Sequence, residues 1–140
     1  MLIEARTLIA GKASGAVVRL SIPLSLWGGV DLRTGRIVDI SHPQCGTVIA
    51  GCLLAMPGSR GSSSSSSALV ELARAGKAPR AIITTRADPI LTIGALVCDY
   101  LYKASVPIAL VSDEILRSLE SGSEARLCCE AYGTKLEIFR

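Results

Sequence analysis

The sequence predicts an α/β (α+β) domain with a sheet layered against helices. Three features carry that expectation: a β-rich first third, a centre that alternates strand and helix, and a C-terminal hairpin. The 140 residues correspond to a single domain, 1–140, and 49% hydrophobic residues are enough to build a proper core. Residues 3–9 and 16–22 read as strands, and Ala10-Gly11-Lys12-Ala13-Ser14-Gly15 between them as a hairpin or wider turn. A loop follows, Pro23-Leu24-Ser25-Leu26-Trp27-Gly28-Gly29-Val30-Asp31. Its lone Trp27 before Gly28 and Gly29 marks either backbone that must come close to something or a tryptophan capping the core beside a turn.

Residues 31–36 form a turn and 37–40 a short strand, after which residues 41–46 form a second loop. His42, the only histidine, stands before Pro43; in such a place it either orders the loop or takes part in chemistry. Residues 47–56 are continuously apolar, as in a strand buried on both faces. They lead into Pro57-Gly58-Ser59-Arg60-Gly61 and six serines, 62–67, with Leu69, Leu72 and Ala73 at helical spacing beyond. Residues 81–85 read as a buried strand, and the helix around 91–104 follows Asp88-Pro89. A strand over 106–111, a helix over 113–120 ending at Gly122, and two strands at 125–131 and 134–139 around Tyr132-Gly133 complete the chain.

Composition removes several classes of function. Aromatic residues make up only 4%, too few for a base-stacking platform, and the net charge of +3 is scattered without a Lys/Arg run. Neither nucleic acid nor a membrane surface is an expected partner. The N-terminus lacks a basic n-region followed by an apolar h-region, so a cytoplasmic location is expected. The five cysteines form no C-x-x-C pair and have no histidine at zinc spacing; they read as free thiols, mostly small buried hydrophobes. No metal site is expected in this chain.

The serine stretch carries the chemistry. It is not a Walker loop, because no Gly-Lys-Ser/Thr follows, and no Gly-x-Ser-x-Gly elbow is present. What remains is a set of hydroxyls at a helix N-terminus beside Arg60, where free amides and the helix dipole favour an anion or a serine alkoxide. Arg60 offers a fork for a carboxylate. A linker, a simple helix cap and a regulatory anion-binding module remain alternatives at this point.

Taken together, residues 23–31, Thr34-Gly35, Ile37-Val38-Asp39, His42-Pro43 and residues 58–66 resemble the small subunit of aconitase X, the swivelling domain of that branch of the aconitase superfamily. The resemblance covers nearly the whole chain. It implies a swivelling β/β/α domain docked on a large subunit, as a heterodimer or higher heteromer, with an iron-sulfur cluster or iron ligated by that partner. By resemblance, Gly61-Ser62-Ser63 matches the Gly-Ser-Ser motif, so Ser62 is the expected proton acceptor. Arg60, Gly61, Ser63, Ser66, Trp27, Gly28, Gly29 and His42 are the expected substrate-binding residues. The family's usual loop, Ser-Gly-Arg-Gly-Ser-Cys-Thr-Gly-Ser, differs here: Gly58-Ser59 inverts the first pair, and Ser63, Ser64 and Ser65 replace Cys, Thr and Gly. A usual histidine pair is reduced to Ser41-His42. The implied reaction is loss of water from a small β-hydroxy acid, with a metal Lewis acid on the leaving hydroxide. Two activities are known in the family, dehydration of cis-3-hydroxy-L-proline and of mevalonate 5-phosphate. Low Lys and Glu content argues against a hyperthermophile and so for the first, with Δ1-pyrroline-2-carboxylate as product.

Overall fold

The computed structural model describes residues 2–139. In chain order its elements are β1 (Leu2–Ile9), β2 (Gly11–Arg19), a helical turn α1 (Leu26–Gly29), β3 (Val30–Asp31), β4 (Arg36–Ile37), β5 (Leu53–Met56), α2 (Ser65–Arg74), β6 (Ala81–Thr84), α3 (Pro89–Tyr102), β7 (Ile108–Leu110), α4 (Asp113–Ser118), β8 (Glu124–Glu130) and β9 (Gly133–Phe139). The larger sheet closes on itself in the order β1-β7-β6-β5-β2-β8-β9, with β9 pairing back to β1. β2, β5, β6 and β7 lie parallel to their neighbours in that run. β8 and β9 form the expected antiparallel hairpin.

Closure of the barrel divides the core in two. Leu53 and Ala55 of β5 and Ala81 and Ile83 of β6 point into the barrel, which Leu116 of α4 and Leu119 help to fill. Leu54, Met56 and Ile82 point the other way, against Leu69 and Leu72 of α2 and Leu91, Ala95 and Cys98 of α3. Strands covered on both faces read as unbroken apolar runs, and the sequence shows this at residues 81–83. The two helices pack closely because their contact is built from small side chains: a Cβ on Gly94 would lie 3.2 Å from both Cα and O of Ser66.

Local signals place the helix starts. Asp88 accepts hydrogen bonds from the amides of Ile90 (2.9 Å) and Leu91 (3.4 Å), and Pro89 supplies the first helical position of α3. Ser112 accepts from the amide of Ile115 at 3.1 Å and starts α4. Among the described residues no helix is long and apolar enough to cross a membrane.

Three expectations need correction. β1 and β2 are not a hairpin: β1 pairs with β7 and β9, and β2 with β5 and β8. The chain turns a corner at Ala10, and the glycines that resemble a turn lie within β2. At Gly11 a Cβ would stand 2.6 Å from Ser105 Oγ, so glycine is there for close approach. Of the apolar run 47–56 only Leu53–Met56 is strand; before it the chain turns, with Cys52 N–H bonding to Ile49 O, while Ile49 and Cys52 are still buried. Strand pairing after the second turn stops at Ile37. The helix following the serines begins at Ser65, with residues 62–64 leading into it.

Candidate active site

Three loops converge, and each leaves the carboxyl end of a parallel strand. They are the segment after β2 that runs through Trp27, the serine loop after β5, and the β6–α3 connection. The 38–42 loop packs beside them. Backbone contacts set the arrangement: Leu24 bridges to Ser59, Arg60 N–H donates to Leu24 O at 3.3 Å, and the amides of Val38 (2.9 Å) and Asp39 (3.4 Å) donate to Gly29 O. Ser59 Oγ donates to the carboxylate of Asp88, latching the serine loop to the start of α3.

Ser62 stands at the mouth of this cluster. Its Oγ accepts the amide of Ser64 at 2.8 Å, and its carbonyl accepts the amide of Ser65 at 3.0 Å. Ser62 thus caps the turn that opens α2, and a hydrogen bond donated to its oxygen together with the positive end of the helix favours the oxyanion form. Among the described residues the amides of Gly61, Ser62 and Ser63 meet no acceptor, and all three residues are exposed. Gly61 adopts φ +103° and is pressed onto Ser25, whose hydroxyl a Cβ at position 61 would strike.

Arg60 extends over the same mouth, with Nη2 3.7 Å from Asp39 Oδ2. The other oxygen of Asp39 accepts from both the amide (2.9 Å) and the hydroxyl (2.6 Å) of Ser41. Those two bonds, with smaller help from Arg60 and His42, hold the Asp39 carboxyl below its ordinary range. Trp27 is exposed and Gly28 has φ +84°, so α1 is a kinked turn; Ser25 Oγ donates to Trp27 O at 2.8 Å to hold it.

The structure therefore leaves Arg60, Gly61, Ser62, Ser63, Trp27 and Gly28 exposed on the joined loops, while Gly29 is buried beneath them. Two expected ligand contacts point elsewhere. His42 is 3% exposed; its Nδ1 accepts from the amide of Gln44 at 3.0 Å, and its Nε2 lies 3.4 Å from Ile22 O, so both ring nitrogens serve the loop. Ser66 Oγ donates to Ile90 O at 2.5 Å, in the seam between α2 and α3. Ser65 is buried, and its hydroxyl has no partner among the described residues. Reading the sequence assigned Asp39 and Ser25 no role of their own, and Asp88 only the opening of the helix at Pro89. The available signals were Asp39 two residues before Ser41 and Asp88 before Pro89, both patterns of local capping.

The face is open. A surface cavity of about 620 Å³ lies instead at the β8–β9 hairpin, lined by residues such as Glu4, Cys128, Glu130 and Lys135 and by none from the serine loop. An iron centre does not fit this chain's own donors: among the described residues no three His, Cys, Asp or Glu side chains stand close enough to hold a metal. Cys52, Cys98 and Cys129 are buried in the cores, where desolvation pushes the Cys52 thiol up to about 12 and Cys98 to about 11.

Comparison with known proteins shows the family of the chain. A cis-3-hydroxy-L-proline dehydratase of Pseudomonas aeruginosa is 46% identical over 112 residues, 80% of this chain but 19% of that protein. The chain thus spans about a fifth of the length of that relative. A phosphomevalonate dehydratase small subunit of Methanothermobacter thermautotrophicus is 36% identical, with 91% of this chain and 93% of that subunit covered. The crystal structure of Thermococcus kodakaraensis aconitase X in its holo-form superposes with a TM-score of 0.87 at 32% identity, covering 100% of this chain and 99% of that one. Residues 2–133 match the aconitase X swivel domain, and the chain belongs to that family.

Proposed function

We propose that this chain is the serine-bearing half of a hydro-lyase, completed by a larger partner subunit, that converts cis-3-hydroxy-L-proline to Δ1-pyrroline-2-carboxylate. The observation that carries the reading is Ser62: an exposed hydroxyl at the opening of α2, its oxygen accepting the Ser64 amide, two residues from Arg60. The proton beside the substrate carboxylate is weakly acidic, and its removal needs an aligned base and donors on the carboxylate. Ser62 Oγ accepts that proton. Arg60 and the unpaired amides of residues 61–63 hold the carboxylate as negative charge moves onto it. Loss of the 3-hydroxyl as water leaves an enamine, which tautomerises to the cyclic imine. Trp27 and Ile40, both exposed beside the site, exclude water once the partner covers them. The iron-sulfur or iron centre of the family comes with the partner, and the steps assigned to this chain involve none.

A second reading, the small subunit of a phosphomevalonate dehydratase, is favoured by one fact: this chain covers 93% of such a subunit, whereas the hydroxyproline relatives are far longer proteins. The test is to reconstitute the complex and assay both substrates. Turnover of cis-3-hydroxy-L-proline is expected; turnover of mevalonate 5-phosphate alone would reverse the assignment. Dehydration that survives Ser62→Ala in the complex would remove the serine from the chemistry.

A further inference from the structure

Arg60 is held in an unusual way. It is half exposed, and among the described residues its guanidinium donors meet no acceptor within hydrogen-bonding geometry. Among the described residues the opposing charge within ion-pair distance is Asp39, whose Oδ2 stands at 3.7 Å, close enough to attract and too far to occupy an N–H. Asp39 cannot close that gap easily. Its Oδ1 is fixed by both donors of Ser41, its amide by Gly29 O, and its carbonyl accepts the amide of His42 at 3.1 Å. His42 is in turn buried and bonded within its own loop. A carboxylate bonded through its other oxygen thus stands just short of contact with an exposed cation.

We infer that Asp39 is a positioning residue: its fixed carboxylate aims the Arg60 guanidinium across the site by charge alone, leaving the fork free to bind a substrate carboxylate. The inference rests on the reading of Arg60 as a carboxylate-binding residue, and it adds a role for the 38–42 loop. That loop then contributes no ligand contact of its own; Ser41 and His42 act by holding Asp39 still. An arginine without this counter-charge would sample many rotamers, and ordering it would fall to the substrate at each binding event.

Two measurements test it. In the full 140-residue chain, the Asp39 carboxyl is titrated by carbon NMR with and without Arg60→Ala. Its pKa lies below the ordinary value, chiefly because of Ser41 with Arg60 a smaller cause, so it should rise in Arg60→Ala and rise further in Ser41→Ala. A value indifferent to Arg60 overturns the coupling. In the complex with the partner subunit, the isosteric Asp39→Asn should raise KM for cis-3-hydroxy-L-proline about fivefold, the scale of a partly exposed ion pair, with kcat changed less than about twofold. In an Arg60→Ala background the same substitution should leave KM within about 1.5-fold, because its effect runs through the missing side chain. Additive effects, or a collapse of kcat with KM unchanged, overturn the inference. If the unaltered complex leaves cis-3-hydroxy-L-proline untouched, the dehydratase reading fails, and the titration still decides whether Asp39 and Arg60 are coupled.

Discussion

Gly61→Ala should damage both stability and turnover, and the structure gives the size of each. The residue sits at φ +103°, where a side chain costs about 1–3 kcal/mol of backbone strain. The new methyl also runs into Ser25 Oγ and lies 3.1 Å from Ser25 Cβ, so Ser25 must move and give up its 2.8 Å bond to Trp27 O, worth about 0.5–1.5 kcal/mol. The sum is about 2–4 kcal/mol, or roughly 10 °C in Tm for a domain of this size. It is an upper figure, because the exposed loop can yield. Yielding is what harms catalysis, since a shift of about 1 Å in the neighbouring Ser62 costs about 100-fold in rate. Thermal melts of the chain and dehydration rates of the complex read the two effects. Ser25→Gly alone should cost about the hydrogen-bond part, and adding Gly61→Ala to it should cost the backbone part alone. A Gly61→Ala protein that melts within about 1 °C of the parent and keeps full activity would refute the claim that the loop is shaped around this glycine.

Other outcomes follow from the same geometry. Ser62→Ala should lower kcat about 10²- to 10⁴-fold, with only about 0.5–1.5 kcal/mol lost in a denaturant melt from the uncapped Ser64 amide. Timed alkylation should modify the exposed Cys45 first and leave Cys52 and Cys98 untouched until the chain unfolds. Their folded pKa values are raised, so the stability they contribute is complete below the ordinary thiol value of 9.0 and is lost as pH rises above it toward about 11 to 12; Cys52→Ala should flatten that alkaline loss of Tm. Ile40 is 92% exposed, so Ile40→Lys should leave the chain's own stability within about 0.5 kcal/mol while weakening association with the partner at least about tenfold, measured by sedimentation or surface binding.

Elements with a signal of their own were legible in the sequence. Asp88-Pro89 announced α3 and Ser112 announced α4, because capping is chemistry between near neighbours. The β8–β9 hairpin was legible for the same reason. Signals that depend on distant chain were not. Gly11 and Gly15 look like turn residues, yet they are glycines because Ser105 and Gly51 from other parts of the fold come against them. Barrel closure through β1 and β9 joins the two ends of the chain, and no window of sequence contains both. In the candidate site, the motifs drew attention to Arg60, Gly61, Ser62 and Trp27, all four of which are exposed. They did not tell that the ring of His42 would turn inward or that Ser66 would face α3, since both depend on which side of a loop or helix meets its neighbour.

The bonds of Ser59 to Asp88 and of Ser66 to Ile90 have a further consequence. They fasten the serine loop and the opening of α2 to the opening of α3, so these parts move as one block. Under the proposed function, alignment of Ser62 with the substrate is then governed mainly by rotation and translation of the whole domain. On the same proposal, a domain that moves as one block carries Ser62 into and out of register with the reacting proton in a single motion.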